Sequence, residues 1–396
     1  MYLYRADNNW PKNYIKEVFR YKRHAQENYS KIILNNTDLL KDKDQFLPNT
    51  LFKFYRPTPE NILDIENKRL WMSDPANFND PFDCKIGYDR LAYEKYCLLK
   101  FIQNENSNGT KSNGDFSEEE IERINYSSTS IDSSRYVLSK VEEYRNVIFK
   151  ILSSKSEDTQ HRYRLFVHQI NVDLENKVDK LRHVGIRVAC FSKFERFNEF
   201  YNKNQMWSHY ADNHKGFCVE YDVSFLKKEM GFNYNISDFY DDTDNYLSER
   251  IQALIKGGIF PVIYSSRRVN IPVTRLRKIN HCSKELNVES DLNEVFYKNF
   301  IVKSTNWSYE KEWRIILDGD VCKYFDNKIP FPYIKTIYLG CRMDNKTIDT
   351  MVEIGKKLNI DVVLMKMRGN KFIMEEDGIS TYEWEKEKIK WNNPFI

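Results

Sequence analysis

Apolar and polar residues alternate with a period of two in several short runs of the chain, and recur at helical spacing between them. Residues 51–56, Leu-Phe-Lys-Phe-Tyr-Arg, predict a strand closed by Pro57. Ile62, Leu63 and Ile65 then predict a short helix, and Arg69–Ser73 a second short strand. Further strands are expected over 185–192, 215–222, 310–317 and 334–340. Residues 258–265 predict an edge strand, because Pro261 cannot donate within a ladder. Residues 345–360 carry Ile348, Met351, Val352 and Leu358 on one helical face, and 361–367 closes a strand–helix–strand unit.

Two stretches break this alternation. Residues 12–46 are polar and helical in spacing, with Ile15, Val18 and Phe19 in phase, which predicts an N-terminal helical cap over 1–50. Residues 88–182 mix charged helical runs with the loops 103–117 and 127–134, which predicts a helical insertion within an α+β domain spanning 51–396. The expected fold class is α+β, a mixed or antiparallel sheet with N-terminal helices and that insertion.

Composition narrows the function classes. Net charge is only +3, so no global charge marks a nucleic-acid binder, although 19–24 and 265–278 are locally basic. Seven cysteines with no C-x-x-C pair fit reduced thiols and argue against a structural zinc site. No apolar run approaches the ~18 residues of a membrane span, and the N-terminus lacks a signal-like apolar core, so a cytoplasmic location and no membrane partner are expected. Walker A and G-x-G-x-x-G loops are absent, as is the nucleophile elbow of Ser-His hydrolases.

Three segments carry candidate chemistry. In Glu310–Leu317, strand alternation puts Glu310, Glu312 and Arg314 on one face and Trp313 and Ile315 on the other. Two carboxylates and a guanidinium cannot be buried unpaired, so this face is either an exposed mixed-charge surface or a cleft. Met206–Tyr210 sets Trp207, His209 and Tyr210 before a strand, a grouping suited to a heteroaromatic ligand. His209 and His214 have an H-x4-H spacing with no convincing further metal ligands. In Phe78–Cys84 the Asn79-Asp80-Pro81 turn is strong. Its acids either cap local amides or turn Asn79 or Asp80 toward a ligand.

Together, K-F-Y-R-P, N-I-L-D-I-E-N-K-R-L-W-M-S-D-P-A-N-F-N-D-P-F-D-C, V-A-C-F-S-K-F, M-W-S-H-Y-A-D-N-H-K-G-F-C-V-E-Y-D and W-S-Y-E-K-E-W-R resemble a widespread bacterial family of unknown function. The resemblance covers about 51–90 and 185–342. The layout is also similar to the DNA-targeting ADP-ribosyltransferase toxins. That likeness implies an ADP-ribosyltransferase-like sheet and NAD as cofactor. It also implies a role as a transferase or NAD glycohydrolase in antiviral defence or as a toxin, with a nucleic-acid or protein acceptor and a neutralising or regulatory partner. It assigns Arg56, Ser192, Glu310 and Glu312 as catalytic residues. Tyr55, Asn79, Asp80, Trp207, His209 and Tyr210 become the NAD-side contacts. Ser192 stands in C-F-S-K rather than S-T-S, and His209 with Tyr210 leaves a His-Tyr-Glu arrangement open. The alternatives are a metal-dependent nuclease using the Asp, Glu and His residues of the same motifs, and a non-catalytic nucleotide-sensing or interaction module.

Overall fold

In Leu51-Phe52-Lys53-Phe54-Tyr55 both phases of the alternation carry large apolar side chains, so the strand must be covered on both faces. In the computed structural model it is a central strand of one mixed sheet. The structure describes residues 43–377 except 86, 89, 108–115, 130–137, 195–196, 228–243, 269 and 272–298. Of the helix expected over 12–46, residues 43–46 are helical and 12–42 lie outside the described residues.

In chain order the strands are β1 (Thr50–Tyr55), β2 (Arg69–Trp71), β3 (Gly87–Tyr88), β4 (Ile186–Ser192), β5 (Phe217–Asp222), β6 (Ile259–Pro261), β7 (Ile263–Ser265), β8 (Asn270–Ile271), β9 (Val302–Ser304), β10 (Glu312–Asp318), β11 (Lys328–Pro330), β12 (Ile334–Leu339), β13 (Asp361–Met367) and β14 (Met374–Glu376). Eight of them form the sheet β14-β13-β12-β5-β1-β4-β10-β6. Its pairings are antiparallel except β12 with β13, which the helix Asn345–Leu358 connects. Asp344 caps that helix by accepting from Thr347 N at 3.0 Å. Ile348, Met351 and Val352 are buried on its inner face, as their spacing predicts.

One face of the sheet buries Leu51, Tyr55, Phe191, Trp313, Ile315 and Ile337 in the larger core. The other buries Phe52, Phe54, Cys218 and Tyr338 against Phe200 and Trp207. The chain divides into two compact units, one of residues 1–84, 183–267 and 300–396, which holds the sheet, and one of 85–182 with 268–299. The second unit therefore includes 268–299 in addition to the predicted insertion. Its helices Arg90–Ser107, Glu118–Thr129, Leu138–Ser153 and Glu157–Val184 bury Leu98, Phe101, Phe116 and Ile151. Ser117 and Glu120 form a capping box, with each side chain taking the other's amide, at 3.2 and 2.8 Å.

The run expected as one edge strand over 258–265 is two. β6 is the sheet edge, where Pro261 costs no ladder bond, whereas β7 leaves the sheet to pair in parallel with β9.

The sheet forks between β1 and β4. Its two central strands share one register pair, Phe52 opposite Ser192. Further along β4, Val188 instead exchanges both backbone bonds with Ser73, at 2.8 and 2.9 Å. Between these bridges, Cys190 O accepts from Lys53 Nζ at 3.2 Å, so an ammonium takes the carbonyl that a ladder amide would otherwise satisfy.

Beside the fork the chain is packed to backbone distance. A Cβ on Gly216 would lie 2.1 Å from Tyr55 O, and one on Gly340 2.2 Å from His214 O. Gly216→Ala is therefore expected to exceed the ~1–3 kcal/mol of ordinary overpacking, read as a lower midpoint in urea unfolding.

Candidate active site

Lys53, Arg56, Asn79, Ser192, His209, Tyr210, Glu310 and Glu312 line one cavity of about 280 Å³ in the sheet-bearing unit. Phe52, Phe54, Phe78 and Phe191 give it ring walls, and Asp83 and Lys303 also reach it. The fork explains the position: β1 and β4 supply two sides, and the loop after β2, which bridges at Ser73, supplies a third.

Register fixes the polar end. Ser192 pairs with Phe52 on one side and Glu312 on the other, so these three side chains share a face. Arg314 lies opposite Cys190, two residues along the same face. Glu310 is not in the strand, contrary to the expected span of 310–317. It ends the 3-10 turn Thr305–Glu310, and Lys311 takes a left-handed conformation, φ 47°, before β10 begins. This local turn brings Glu310 beside Glu312. Glu312 N donates to the Tyr264 hydroxyl at 2.8 Å, which anchors the start of β10 to β7.

Of the two expectations for this face, the exposed mixed-charge surface is overturned, since none of the surface of Arg314 is exposed. All five of its N–H donors are used. Nε and Nη2 donate to the two oxygens of Glu312 at 2.6 and 3.1 Å. Nη1 and Nη2 donate to the two oxygens of Asp83 at 2.9 and 2.7 Å. Nη1 also donates to Phe300 O at 2.7 Å. The final Asp of N-D-P-F-D is thus the bidentate partner of a distant guanidinium. Lys303 bridges the same group: its Nζ lies 2.7 Å from Glu310, 3.0 Å from Glu312 and 3.4 Å from Asp83. Tyr210 donates its hydroxyl to Glu310 Oε1 at 2.5 Å.

Three carboxylates thus face two cations, and their environments separate them. Burial and the Glu312 charge push the Glu310 carboxyl up to about 7, against Lys303. Burial also pushes Glu312 upward, but Arg314 and Lys303 overcome it and hold that carboxyl well below the usual range. Burial lowers Lys303, yet Glu312 and Glu310 outweigh it and keep the ammonium protonated. Burial pushes the Cys190 thiol up, leaving a neutral S–H beside Glu312.

Three expected contacts lie elsewhere. Tyr55 points to the opposite sheet face, stacked on Phe217 at 5.1 Å with its hydroxyl 2.7 Å from that of Tyr221. Strand alternation puts it on the face opposite Phe52 and Phe54, in the larger core. Trp207 is wholly buried, edge-on to Phe54 at 5.2 Å, so its faces are unavailable to a ligand. Asp80 is buried and accepts from Phe82 N at 2.9 Å as a turn cap. His214, of the H-x4-H pair, has Nε2 3.3 Å from Ser208 Oγ. Among the described residues no group of three or more His, Cys, Asp or Glu is placed to hold a metal ion. No helix among them is long and apolar enough to cross a membrane. Lys53, Asp83 and Lys303 were not predicted as site residues. Their signal was indirect: a buried strand face bearing Glu312 and Arg314 demands charged partners from elsewhere.

Arg314→Leu leaves three buried carboxylates to share the single ammonium of Lys303, so a loss of about 3–5 kcal/mol is expected in chemical denaturation. The glutamates act oppositely on pH dependence. Glu310 has a folded value above its ordinary 4.5, so its contribution is full below 4.5 and is lost as pH rises through about 7. Glu312 is depressed, so its contribution holds above the ordinary value and is lost as acid is added. Between pH 5 and 8, Glu310→Gln should flatten a decline on the order of 3 kcal/mol, measured by denaturation at each pH.

The family profile described as "Protein of unknown function (DUF2971)" matches residues 206–315. That span holds the M-W-S-H-Y and E-K-E-W-R motifs and both glutamates, and stops short of N-D-P-F-D. No curated protein and no solved structure matches the chain. That partial match to a family of unknown function accords with the resemblance of the motifs.

Proposed function

We propose that the protein consumes NAD, transferring ADP-ribose to an acceptor or to water, on an ADP-ribosyltransferase-like sheet. The observation that carries this reading is the convergence of Arg56, Ser192, Glu310 and Glu312, from three distant segments, on one ring-walled cavity. Its charge is bipolar. Arg56 is exposed at the wall and, among the described residues, has no side-chain hydrogen-bond or ion-pair partner, while the far chemistry is that of buried carboxylates. NAD has matching parts: a pyrophosphate for a guanidinium, and a cationic pyridinium for rings and carboxylates. The volume, about 280 Å³, suits the nicotinamide and its ribose rather than the whole dinucleotide.

In the reaction the bond between ribose C1′ and the nicotinamide nitrogen breaks, and its electron pair leaves with neutral nicotinamide. Glu312, held anionic, stabilises the positive charge that develops on the ribose. The acceptor oxygen or nitrogen bonds to C1′ and its proton passes to Glu310. Tyr210 and the exposed His209 flank the place where nicotinamide would sit.

Purified protein should release nicotinamide from NAD, with or without a protein or nucleic-acid acceptor. Arg56→Ala should raise the half-saturating NAD concentration roughly tenfold, the ~1.4 kcal/mol of one lost charge-assisted contact. If calorimetry finds no NAD binding and chromatography no nicotinamide, the reading fails.

A further inference from the structure

The two glutamates differ in what remains free on their oxygens. A carboxylate offers about four acceptor sites. On Glu312, Arg314 takes two and Lys303 a third. Asp83 is similarly occupied, by Arg314 on both oxygens, by Lys303 and by Cys84 Sγ at 3.4 Å. Among the described residues, Glu310 receives only Tyr210 on Oε1 and Lys303 on Oε2. We infer that Lys303 is the positioning residue that divides the two glutamates, holding Glu312 as the fixed anion and leaving Glu310 with the free acceptor sites that exchange a proton with the substrate. The inference rests on the NAD-consuming reading only for the identity of the substrate.

Lys303 reaches both carboxylates from β9, whose parallel pairing with β7 sets its height above the sheet. Its ammonium also lies 5.0 Å from the centre of the Trp307 ring. The ionisable groups facing Glu310 come from several elements. They are Tyr210 from the helix Asn204–Tyr210, Lys303 from β9, Tyr264 from β7, Glu312 with Arg314 behind it from β10, and its own neighbour Tyr309. Among the described residues, only the Lys303 side chain bonds to both glutamate side chains. A proton entering this cluster goes to Glu310, because Glu312 is bound to two cations and Glu310 to one. Glu310 therefore accepts the acceptor's proton when ionised and returns it to water afterwards.

Infrared difference spectra of protein carrying ¹³C-labelled glutamate, taken without NAD across pH 4 to 9, test the assignment. One buried protonated carboxyl should persist above the ordinary range and ionise near pH 7. Glu310→Gln should abolish that signal, and Glu312→Gln should keep a Glu310 carboxyl signal with a shifted midpoint. Lys303→Met should move the midpoint upward and Lys303→Arg restore it. Tyr210→Phe, at a half-buried position, should also move it upward and serves if Lys303→Met does not fold. Persistence of the signal in Glu310→Gln, or an unmoved midpoint in both Lys303→Met and Tyr210→Phe, overturns the inference. The titration needs no substrate. A normal titration without nicotinamide release would sink the NAD reading alone, and release with no such carboxyl would sink this one alone.

Discussion

The sheet-bearing unit is organised around one saturated guanidinium. Arg314 sits in the middle of β10 with none of its surface in water, and a bare charge there would be far too costly to fold around. The chain answers with Asp83 from the loop after β2, Glu312 from its own strand and the carbonyl of Phe300. These partners come from segments separated by more than two hundred residues, so the ion cluster joins the motifs as well as neutralising them. The fork between β1 and β4 depends on the same arrangement. The loop after β2 carries both contacts, Ser73 on the β4 edge that β1 has left and Asp83 on Arg314.

That fork makes a cavity within the plane of a sheet. Residues of β1 and β4 line it, and the two strands are joined there by the Lys53–Cys190 hydrogen bond and the Phe52–Ser192 pair. Such walls fix side chains more tightly than loops do. Charged and polar side chains share its lining with aromatic rings, so fixed charges act inside a small, partly apolar volume.

The α+β class, the strand–helix–strand unit and most strands were legible because periodicity is a local property. The E-x-E pair was legible for a different reason from the one that operates. A uniform strand would also put Glu310 and Glu312 on one face, but the chain uses a left-handed Lys311, which no pattern of apolar residues announces. Tyr55 was misplaced because both phases of β1 reach the cavity, through Phe52 and Phe54 on one face and Lys53 on the other, and alternation does not say which residues stop short of it. Trp207 shows the opposite limit: a short helix has an inside and an outside, and seven residues do not reveal which is which. Lys303 was invisible because its role exists only through a parallel pairing between β7 and β9 that nothing in either segment specifies.

The shared ion cluster also constrains how this protein can diverge. Asp83, Lys303, Glu310, Glu312 and Arg314 exchange hydrogen bonds in common, so the effect of altering one depends on which of the others are present. Removing an anion and a cation together can cost less than removing either alone, because the survivors stay balanced. These five positions therefore behave as a single heritable character, open to replacement in matched sets and closed to drift one residue at a time.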